Sequence, residues 1–235
     1  MTSPNGNVAH RSGKLHAVPG FERHATAVRQ AATPLTAGIN WPFGPAGHSA
    51  ALFVPSSIPD TAIPLVVLLH GAGSNASRIL PILQTAAENQ SFLVLVPQSR
   101  DNTWDAIRGG FGADVRAIDD ALDFVFDAYP VDPERIAISG FSDGASYALS
   151  LGLVNGTLFP QILAFSPGFV MPGAFQGKPS IFISHGISDQ VLPIDRTSRR
   201  IVPALEAEGY NVDYREFDGG HSVPPDLVEA ALERL

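Results

Sequence analysis

The sequence predicts a single α/β domain built on a doubly wound, mostly parallel sheet with helices on both faces. At 235 residues, 45% of them hydrophobic, the chain can bury one large core. Short apolar runs recur along the chain, and segments with helical periodicity separate them, which is typical of parallel strands joined by helices. A run such as IPLVVLLHG is apolar throughout, as expected of a strand covered on both faces.

The first elements differ from the rest of the chain. Residues 1–30 lack apolar periodicity and are predicted to form a loosely ordered arm, so that one catalytic domain spans 31–235. Two β-prone runs, 33–41 and 48–55, flank the Pro/Gly segment 42–47. This arrangement predicts an antiparallel hairpin at the edge of the sheet.

Strands and helices then alternate to the end of the chain. Strands are predicted at 63–71, 92–99, 135–140, 161–167, 179–186 and 212–219, and helices at 77–89, 114–130, 145–156, 198–209 and 224–235. The acidic face of the second helix, with Asp119, Asp120, Asp123 and Asp127, is interpreted as a solvated surface. Only residues 168–178 separate two of the strands where a cap domain could be inserted, so no large cap domain is predicted.

Composition excludes several classes of function. A formal net charge of −8 argues against a nucleic-acid partner, because proteins that bind phosphate backbones carry basic faces. The absence of cysteine excludes disulfides, thiolate metal sites and a cysteine nucleophile. No apolar run is long enough to span a bilayer and no secretory signal is visible, so a cytoplasmic location is predicted, as a monomer or a homodimer.

One serine has the sequence context of a nucleophile. Ser142 lies in the GxSxG pattern GFSDG, between a predicted buried strand and a predicted helix. A strand that turns directly into a helix strains the backbone of the serine and crowds the residues two positions away, which favours Gly140 and Gly144. The helix N-terminus also places backbone N–H groups beside the serine oxygen, where an oxyanion would form.

The order of residues along the chain selects the base. A serine hydroxyl requires a base, usually a histidine that a carboxylate orients, and in this topology the order is serine, acid, histidine. Only His185 and His221 follow Ser142. His221 lies in FDGGHS, just past the last predicted strand, and is the predicted base, whereas His185 is interpreted as a structural residue of the acid loop.

Three aspartates compete for the role of the acid. Asp189 lies in the loop after a buried strand and is favoured. Asp195 lies six residues further on, where capping of the next helix suits it better, and Asp218 is too close to His221.

A second loop can supply the remaining oxyanion donor. The segment LLHGAGSN follows the strand at 63–71, and its small residues can direct backbone N–H groups at a substrate oxygen. The backbone N–H groups of Ala72 and Asp143 are the predicted pair. His70 precedes the serine and is interpreted as a structural residue of this loop.

Four motifs, LLHGAGSN, GFSDGAS, HGISDQVLP and DGGHS, together resemble the α/β-hydrolase superfamily, and specifically its small phospholipase/carboxylesterase branch of acyl-protein thioesterase-like enzymes. The resemblance runs from about Leu65 to the C-terminus. It implies an α/β-hydrolase fold with a nucleophile elbow, a triad of Ser142, Asp189 and His221, and an oxyanion donor at Ala72. It also implies that Trp104 lies near an acyl pocket.

Two more substrate contacts are predicted, and one departure from the branch is noted. Gly71 belongs to the His-Gly pair of the oxyanion loop, and Phe169 lies in a Gly/Pro-rich loop with Val170, Met171 and Phe175, an apolar fringe for an open cleft. Members of the branch often carry Gln-Gly-Gly after the serine, whereas this chain has Asp143, Gly144 and Ala145. The carboxylate of Asp143 disfavours strongly anionic substrates near the serine.

The predicted function is a serine carboxylesterase that hydrolyses short- to medium-chain carboxylic esters through an acyl-enzyme, with no metal and no organic cofactor. A small-molecule ester is the expected partner. Alternatives of the same class are a polyester or hydroxyalkanoate oligomer hydrolase and a (lyso)phospholipase or thioesterase. A non-catalytic binding protein with this fold is the alternative from another class.

Overall fold

A computed structural model describes residues 11–19, 34–41, 50–59 and 61–235. It contains one sheet of eight strands: β1 (Gly38–Asn40), β2 (Ala50–Val54), β3 (Ile63–Leu69), β4 (Leu93–Pro97), β5 (Val131–Phe141), β6 (Gln161–Phe165), β7 (Ser180–Gly186) and β8 (Val212–Phe217). Their order across the sheet is β1-β2-β4-β3-β5-β6-β7-β8. The six strands from β3 to β8 are parallel, whereas β1 and β2 are antiparallel to their neighbours.

Helices cover both faces of this sheet. They are α1 (Ala76–Ile79), α2 (Pro81–Gln90), α3 (Asp105–Arg108), α4 (Ala113–Ala128), α5 (Asp143–Val154), α6 (Ser198–Ala207) and α7 (Pro225–Leu232), with a 3₁₀ turn at Ile194–Arg196. Residues of α4, α5 and α6 share one apolar cluster with the sheet, and residues of α1, α2 and α7 share another. Alternate residues of β3, such as Val67 and Leu68, enter opposite clusters, as the period of a strand requires. The predicted doubly wound α/β architecture is confirmed.

The topology positions a site at one edge of the sheet. The carboxyl ends of β3, β5, β7 and β8 all lie at that edge because these strands are parallel. Strand order reverses beside β3, since β4 lies on one side of it and β5 on the other. Crevices for ligands form at such a reversal, outside the carboxyl ends of the strands.

Proline divides the first predicted helix. The segment 77–89 is predicted as one helix, but the structure has α1 and α2, with Pro81 at the first position of α2. Proline has no N–H group and its ring clashes with the preceding turn, so the first helix ends and a new one begins. The loop between β6 and β7, residues 166–179, contains no helix or strand, and thus no cap domain is inserted there.

The edge hairpin is confirmed in its strands. Strands β1 and β2 are antiparallel, with Ile39 opposite Phe53. The predicted Pro/Gly turn, residues 42–47, lies outside the described residues.

Part of the predicted loose arm is packed on the domain. The backbone N–H groups of His16 and Ala17 both donate to Oδ1 of Asp119, at 2.7 and 2.8 Å. Leu15 N–H donates to the side chain of Asn155, whose amide in turn donates to Gly13 O. Residues 11–19 therefore differ from the prediction, and Asp119 is a buried anchor for them rather than part of a solvated face. The rest of the arm, residues 1–10 and 20–30, lies outside the described residues.

Among the described residues, no helix has the length and apolar character that a membrane crossing requires.

Candidate active site

A strained bend carries Ser142. The residue lies between the end of β5 and the start of α5, with φ 59° and ψ −122°, in a region that L-residues rarely adopt. A Cβ on Gly140 would lie 2.3 Å from Gly144 O, and a Cβ on Gly144 would lie 2.1 Å from Leu69 O. Both positions therefore require glycine. The strain, of the order of 1–3 kcal/mol, is tolerated because the surrounding backbone fixes the bend.

Three side chains from separate elements form a hydrogen-bonded series at this bend. His221 Nε2 lies 2.9 Å from Ser142 Oγ, and His221 Nδ1 lies 2.6 Å from Asp189 Oδ2. A carboxylate only accepts hydrogen bonds, so Nδ1 carries the proton and Nε2 offers a lone pair to the serine hydroxyl. The ring of Phe141 lies against the imidazole, 4.6 Å between centroids. This tautomer and this order are the ones that a serine nucleophile requires.

The carboxylate of Asp189 has more than one donor. Its Oδ1 accepts backbone hydrogen bonds from Val191 and Leu192, each at 2.8 Å. Burial raises the pKa of Asp189, but the hydrogen bonds from Leu192, His221 and Val191 outweigh burial and hold this pKa below its ordinary value. The carboxyl group therefore stays ionised and orients His221.

His185 supports the acid from beneath. It is fully buried, with Nδ1 2.7 Å from Ser198 Oγ and Nε2 2.8 Å from Leu192 O and 3.2 Å from Asp189 Oδ2. Both oxygens at Nε2 are acceptors, so Nε2 carries the proton and Nδ1 accepts from Ser198. Burial lowers the pKa of His185 and favours this neutral form. The structure thus gives His185 the predicted structural role in the acid loop.

The acid loop and the base loop are joined to each other. Ile187 N–H donates to Phe217 O, and Ser188 N–H donates to Gly219 O, both at 2.9 Å. A Cβ on Gly186 would lie 2.3 Å from Gly220 O, so the two loops touch through their backbones. Asp189 and His221 are consequently held in one local unit.

The predicted oxyanion donors belong to the two segments that adjoin Ser142, the start of α5 and the loop after β3. Asp143 is the first residue of α5, and the first N–H groups of a helix have no acceptor within the helix. Ala72 lies on the exposed loop after β3, and its neighbour Gly71 packs against the serine, because a Cβ there would lie 3.2 Å from Ser142 Cβ. Gly73 N–H donates to Asn102 O at 2.7 Å and fixes the far side of this loop. The assignment of Ala72, Asp143 and Gly71 to the substrate stays a prediction.

Trp104 is a core residue behind the loop that follows β3. Its side chain is fully buried, its indole N–H donates to His70 O at 2.8 Å, and its ring stacks on Tyr147. The predicted acyl-pocket contact is therefore wrong, because no surface of the indole is available to a ligand. Trp104 instead supports the backbone of the loop that carries Ala72.

His70 has the structural role predicted for it. It is fully buried, Nδ1 donates to Gly71 O at 2.9 Å, and Nε2 accepts from Ser99 N–H at 3.1 Å. Burial lowers the pKa of His70, so the ring is neutral.

The rival acid lies away from this site. Asp195 is exposed in the 3₁₀ turn and pairs with Arg199 at 2.7 Å. Its carboxylate accepts no capping hydrogen bond from α6, whose N-cap residue is Thr197, so the capping role predicted for Asp195 is wrong. Its carboxylate is drawn instead to the guanidinium one turn further along the helix.

Sequence reasoning missed a buried carboxylate pair behind the site. Asp114 accepts from the N–H groups of Arg100 and Asp105, Asp105 accepts from Asp114 N–H, and Tyr147 OH donates to Asp105. Burial, with a smaller contribution from Asp105, raises the pKa of Asp114 to about 6. The pair holds the segment that also carries Thr103, whose hydroxyl donates to Asp143 Oδ2 at 2.7 Å. Two acidic residues nine positions apart give no sequence signal for such a contact.

Phe169 lies beside a surface groove. It is half-buried and lines a groove of about 420 Å³ together with Val170, Met171 and Phe175, the predicted apolar fringe. Its contact with a substrate stays a prediction. In the part of the chain that the structure describes, no three His, Asp or Glu side chains converge in a way that could hold a metal ion.

The fold and the strand-serine-helix bend together define an α/β hydrolase. Solved structures share the fold: a carboxylesterase from Bacillus cereus has a TM-score of 0.63 and 23% identity over 80% of this chain and 93% of that chain. S-formylglutathione hydrolase from Staphylococcus aureus has a TM-score of 0.65 and 12% identity over 79% and 93%.

Sequence comparison identifies the family. The family model described as phospholipase/carboxylesterase matches residues 100–235, more than half of the chain, and the chain therefore belongs to this family. An acyl-protein thioesterase 1 from Gibberella zeae is 31% identical over 115 residues, which are 43% of this chain and 48% of the relative. A bifunctional acetylxylan esterase/xylanase from Neocallimastix patriciarum is 27% identical over 73% of this chain and 24% of its own length. The chain thus matches about half of one curated relative and a quarter of the other.

Proposed function

We propose that this protein is a serine carboxylesterase that hydrolyses short- to medium-chain carboxylic esters through an acyl-enzyme. The observation that carries the proposal is the series of short contacts from Asp189 to His221 to Ser142, at 2.6 and 2.9 Å. The phospholipase/carboxylesterase family of this chain, and its similarity to an acyl-protein thioesterase and to an acetylxylan esterase/xylanase, support ester-bond hydrolysis.

The proposed reaction has two acyl-transfer steps. His221 Nε2 takes the proton from Ser142 Oγ as that oxygen attacks the ester carbonyl, and the N–H groups of Ala72 and Asp143 stabilise the oxyanion. The C–O bond to the alcohol then breaks, and His221 gives its proton to the departing oxygen. Water enters, gives a proton to His221 and attacks the acyl-enzyme, and the proton returns to Ser142 as the acid leaves.

A fluorophosphonate probe tests the nucleophile. Wild-type protein should be labelled and should hydrolyse p-nitrophenyl butyrate, whereas Ser142→Ala should do neither, with a loss of activity of about 10³-fold or more. Ser188→Ala is the matched control, because Ser188 is exposed at the same edge of the sheet and should label normally. Equal labelling of Ser142→Ala, or none of the wild type, would contradict the proposal, and the second result would favour a non-catalytic binding protein.

The loop between β6 and β7 favours a second substrate class. Because residues 166–179 add no helix over the site, a chain-like ester such as a hydroxyalkanoate oligomer is not blocked at this position. Release of acid from a polymer film, compared with hydrolysis of soluble esters by the same preparation, separates the two substrate classes. A series of acyl thioesters and lysophospholipids, with Ser142→Ala as the blank, tests the thioesterase and phospholipase alternatives.

A further inference from the structure

The groove beside Phe169 is a feature of the described residues that the proposed reaction does not use. It lies between the loop 168–175 and helix α6 and has a volume of about 420 Å³. Its walls are mainly apolar, with Phe169, Met171, Ile201 and Leu205 among the side chains. A volume of this size suits a small organic ligand, for which apolar walls with a few polar groups are usual.

One end of the groove lies close to the catalytic bend. Gly168 N–H donates to Ser146 Oγ at 2.8 Å, and Ser146 lies one turn of α5 after Ser142, to whose carbonyl its own N–H donates. Further along the loop, Met171 N–H donates to Ser150 Oγ at 2.9 Å. The loop therefore descends along α5, away from the carboxyl edge of the sheet.

The charges on the groove differ between its ends. Arg196 and Arg200 line it at the start of α6, on the side of the carboxyl edge, and Glu208 lines it at the other end of that helix. Lys178 lies at this lower end too, where its ammonium donates to the backbone oxygen of Glu208. The charges of Lys178 and Glu208 offset each other at the lower end, so an anion in the groove is attracted mainly to the two arginines at the upper end.

The two arginines have charge available for a ligand. Arg199, which lies between them in sequence, is paired with Asp195 and Glu216 and does not line the groove. By contrast, neither Arg196 nor Arg200 has an ion-pair partner among the described residues, and Arg200 Nε donates only to the backbone oxygen of Asp195 at 3.1 Å. In a chain with a net charge of −8, two such guanidinium groups on an apolar groove indicate a site that binds an anion.

We propose that this groove binds a medium-chain carboxylate, with the carboxylate on Arg196 and Arg200 and the alkyl chain along the apolar walls. The planar guanidinium matches a carboxylate through paired N–H donors, which favours this head group. From Arg200 to Glu208 helix α6 rises about 12 Å, which corresponds to an alkyl chain of roughly eight to ten carbons.

The carboxylate in the groove would be a product of the catalytic site, and this part of the inference rests on the proposed function. Hydrolysis of a medium-chain ester releases the corresponding carboxylate at the carboxyl edge, beside the upper end of the groove. The groove would hold this acid outside the catalytic series, so that a product molecule and a new ester can be bound at once. Decanoate should therefore change the rate of ester hydrolysis without acting as a simple competitive inhibitor of the ester at Ser142.

Calorimetric titration with decanoate, below its micelle-forming concentration, tests the site. Wild-type protein should bind decanoate more tightly than decanol, and binding should weaken by about tenfold for every two methylenes removed. The double variant Arg196→Gln/Arg200→Gln should bind decanoate about tenfold more weakly and should lose the preference over decanol. Ala204→Trp, which places a large side chain in the groove, should abolish binding.

Arg199→Gln is the matched control, because it removes a cation from the same helix without changing the lining of the groove. Circular dichroism of each variant shows whether it folds. The inference is overturned if the wild type does not bind decanoate, or if binding is unchanged in both the double variant and Ala204→Trp. It is also overturned if Arg199→Gln loses as much affinity for decanoate as the double variant does. Hydrolysis of p-nitrophenyl butyrate is measured alongside: normal hydrolysis without decanoate binding rejects only the groove, and binding without hydrolysis rejects only the esterase.

Discussion

The bend at Ser142 depends on Gly140 and Gly144, which have no room for a side chain. Gly144 lies against the end of β3, where a Cβ would be 2.1 Å from Leu69 O, a backbone atom that cannot rotate away. The adjacent strand and helix would have to separate to admit a methyl group. Since Ala72 follows the end of this strand and Asp143 begins this helix, the separation would also change the distance between the predicted oxyanion donors.

We expect Gly144→Ala to lose most esterase activity and to lower the free energy of unfolding by about 1–3 kcal/mol, as overpacking does in cores. Urea denaturation and p-nitrophenyl butyrate hydrolysis measure the two effects. Gly109→Ala is the control, because a Cβ there meets no atom within 4 Å. A fully active Gly144→Ala would show that the bend relaxes without harm.

Trp104→Phe tests the corrected role of Trp104. The change keeps a ring in the core but removes the N–H that donates to His70 O. We expect a loss of kcat of several-fold and of about 1 kcal/mol in stability, since the oxyanion loop loses one support. The ratio of the KM of the variant to that of the wild type should be the same for every p-nitrophenyl ester of a chain-length series; a ratio that rises with acyl-chain length would restore the acyl-pocket interpretation.

At the scale of elements, the acid loop takes its shape from three parts of the chain. Strand β7 supplies His185, the loop after it supplies Asp189, and the start of α6 supplies Ser198. The acceptors Leu192 O and Asp189 Oδ2 require the proton of His185 on Nε2, and the hydroxyl of Ser198 donates to Nδ1 and fixes the orientation of the ring. The position of the acid is therefore coupled to the docking of α6 on the sheet.

Ser198→Ala should remove the donor to Nδ1 of His185 and leave the ring, which supports Asp189, less firmly oriented. We expect kcat to fall several-fold with little change in KM, and stability to fall by about 1 kcal/mol, because one buried hydrogen bond is lost. Ser198→Thr keeps the hydroxyl and should recover most of the rate. If Ser198→Thr and Ser198→Ala are equally impaired, packing rather than the hydrogen bond holds the acid loop.

Most strand and helix positions were predictable because both faces of the sheet are covered, which makes the central strands apolar and gives helices such as α4 an apolar face. Its place in the loop after a buried strand likewise selected Asp189 over Asp195, and the structure brings Asp189 to His221. The partners of His185 and Trp104 were not predictable, because these contacts join distant segments at no fixed spacing. Asp119 was misjudged for a similar reason: a helix face looks solvated until the segment that covers it is known.

At the scale of the whole molecule, buried titratable groups set the response to pH. Asp114 is 2% exposed and its pKa is raised to about 6, whereas an unfolded chain gives it the ordinary value near 3.8. Between these two values the folded protein binds more protons than the unfolded chain does. Stability therefore decreases as the pH rises through this window.

In Asp114→Asn the side chain at position 114 cannot titrate, so its contribution to the pH dependence of the free energy of unfolding should disappear. We expect the wild type to lose more stability than the variant between pH 4 and about 6. Urea denaturation at a series of pH values measures the slopes, so the comparison does not depend on any constant loss caused by the altered hydrogen bonds. Parallel slopes for the two proteins would show that Asp114 does not titrate in this range.

The backbone bonds between the loops after β7 and β8 also decide how the site comes apart. Ser188 N–H and Gly219 O join the acid to the base, while the serine stays on a different helix and strand. Under mild heating or denaturant, the imidazole of His221 and the carboxylate of Asp189 should therefore move together, away from Ser142. The hydrogen bond between His221 and the hydroxyl of Ser142 should be the first of these contacts to break. Activity should then be lost at a lower temperature or denaturant concentration than the structure of the sheet.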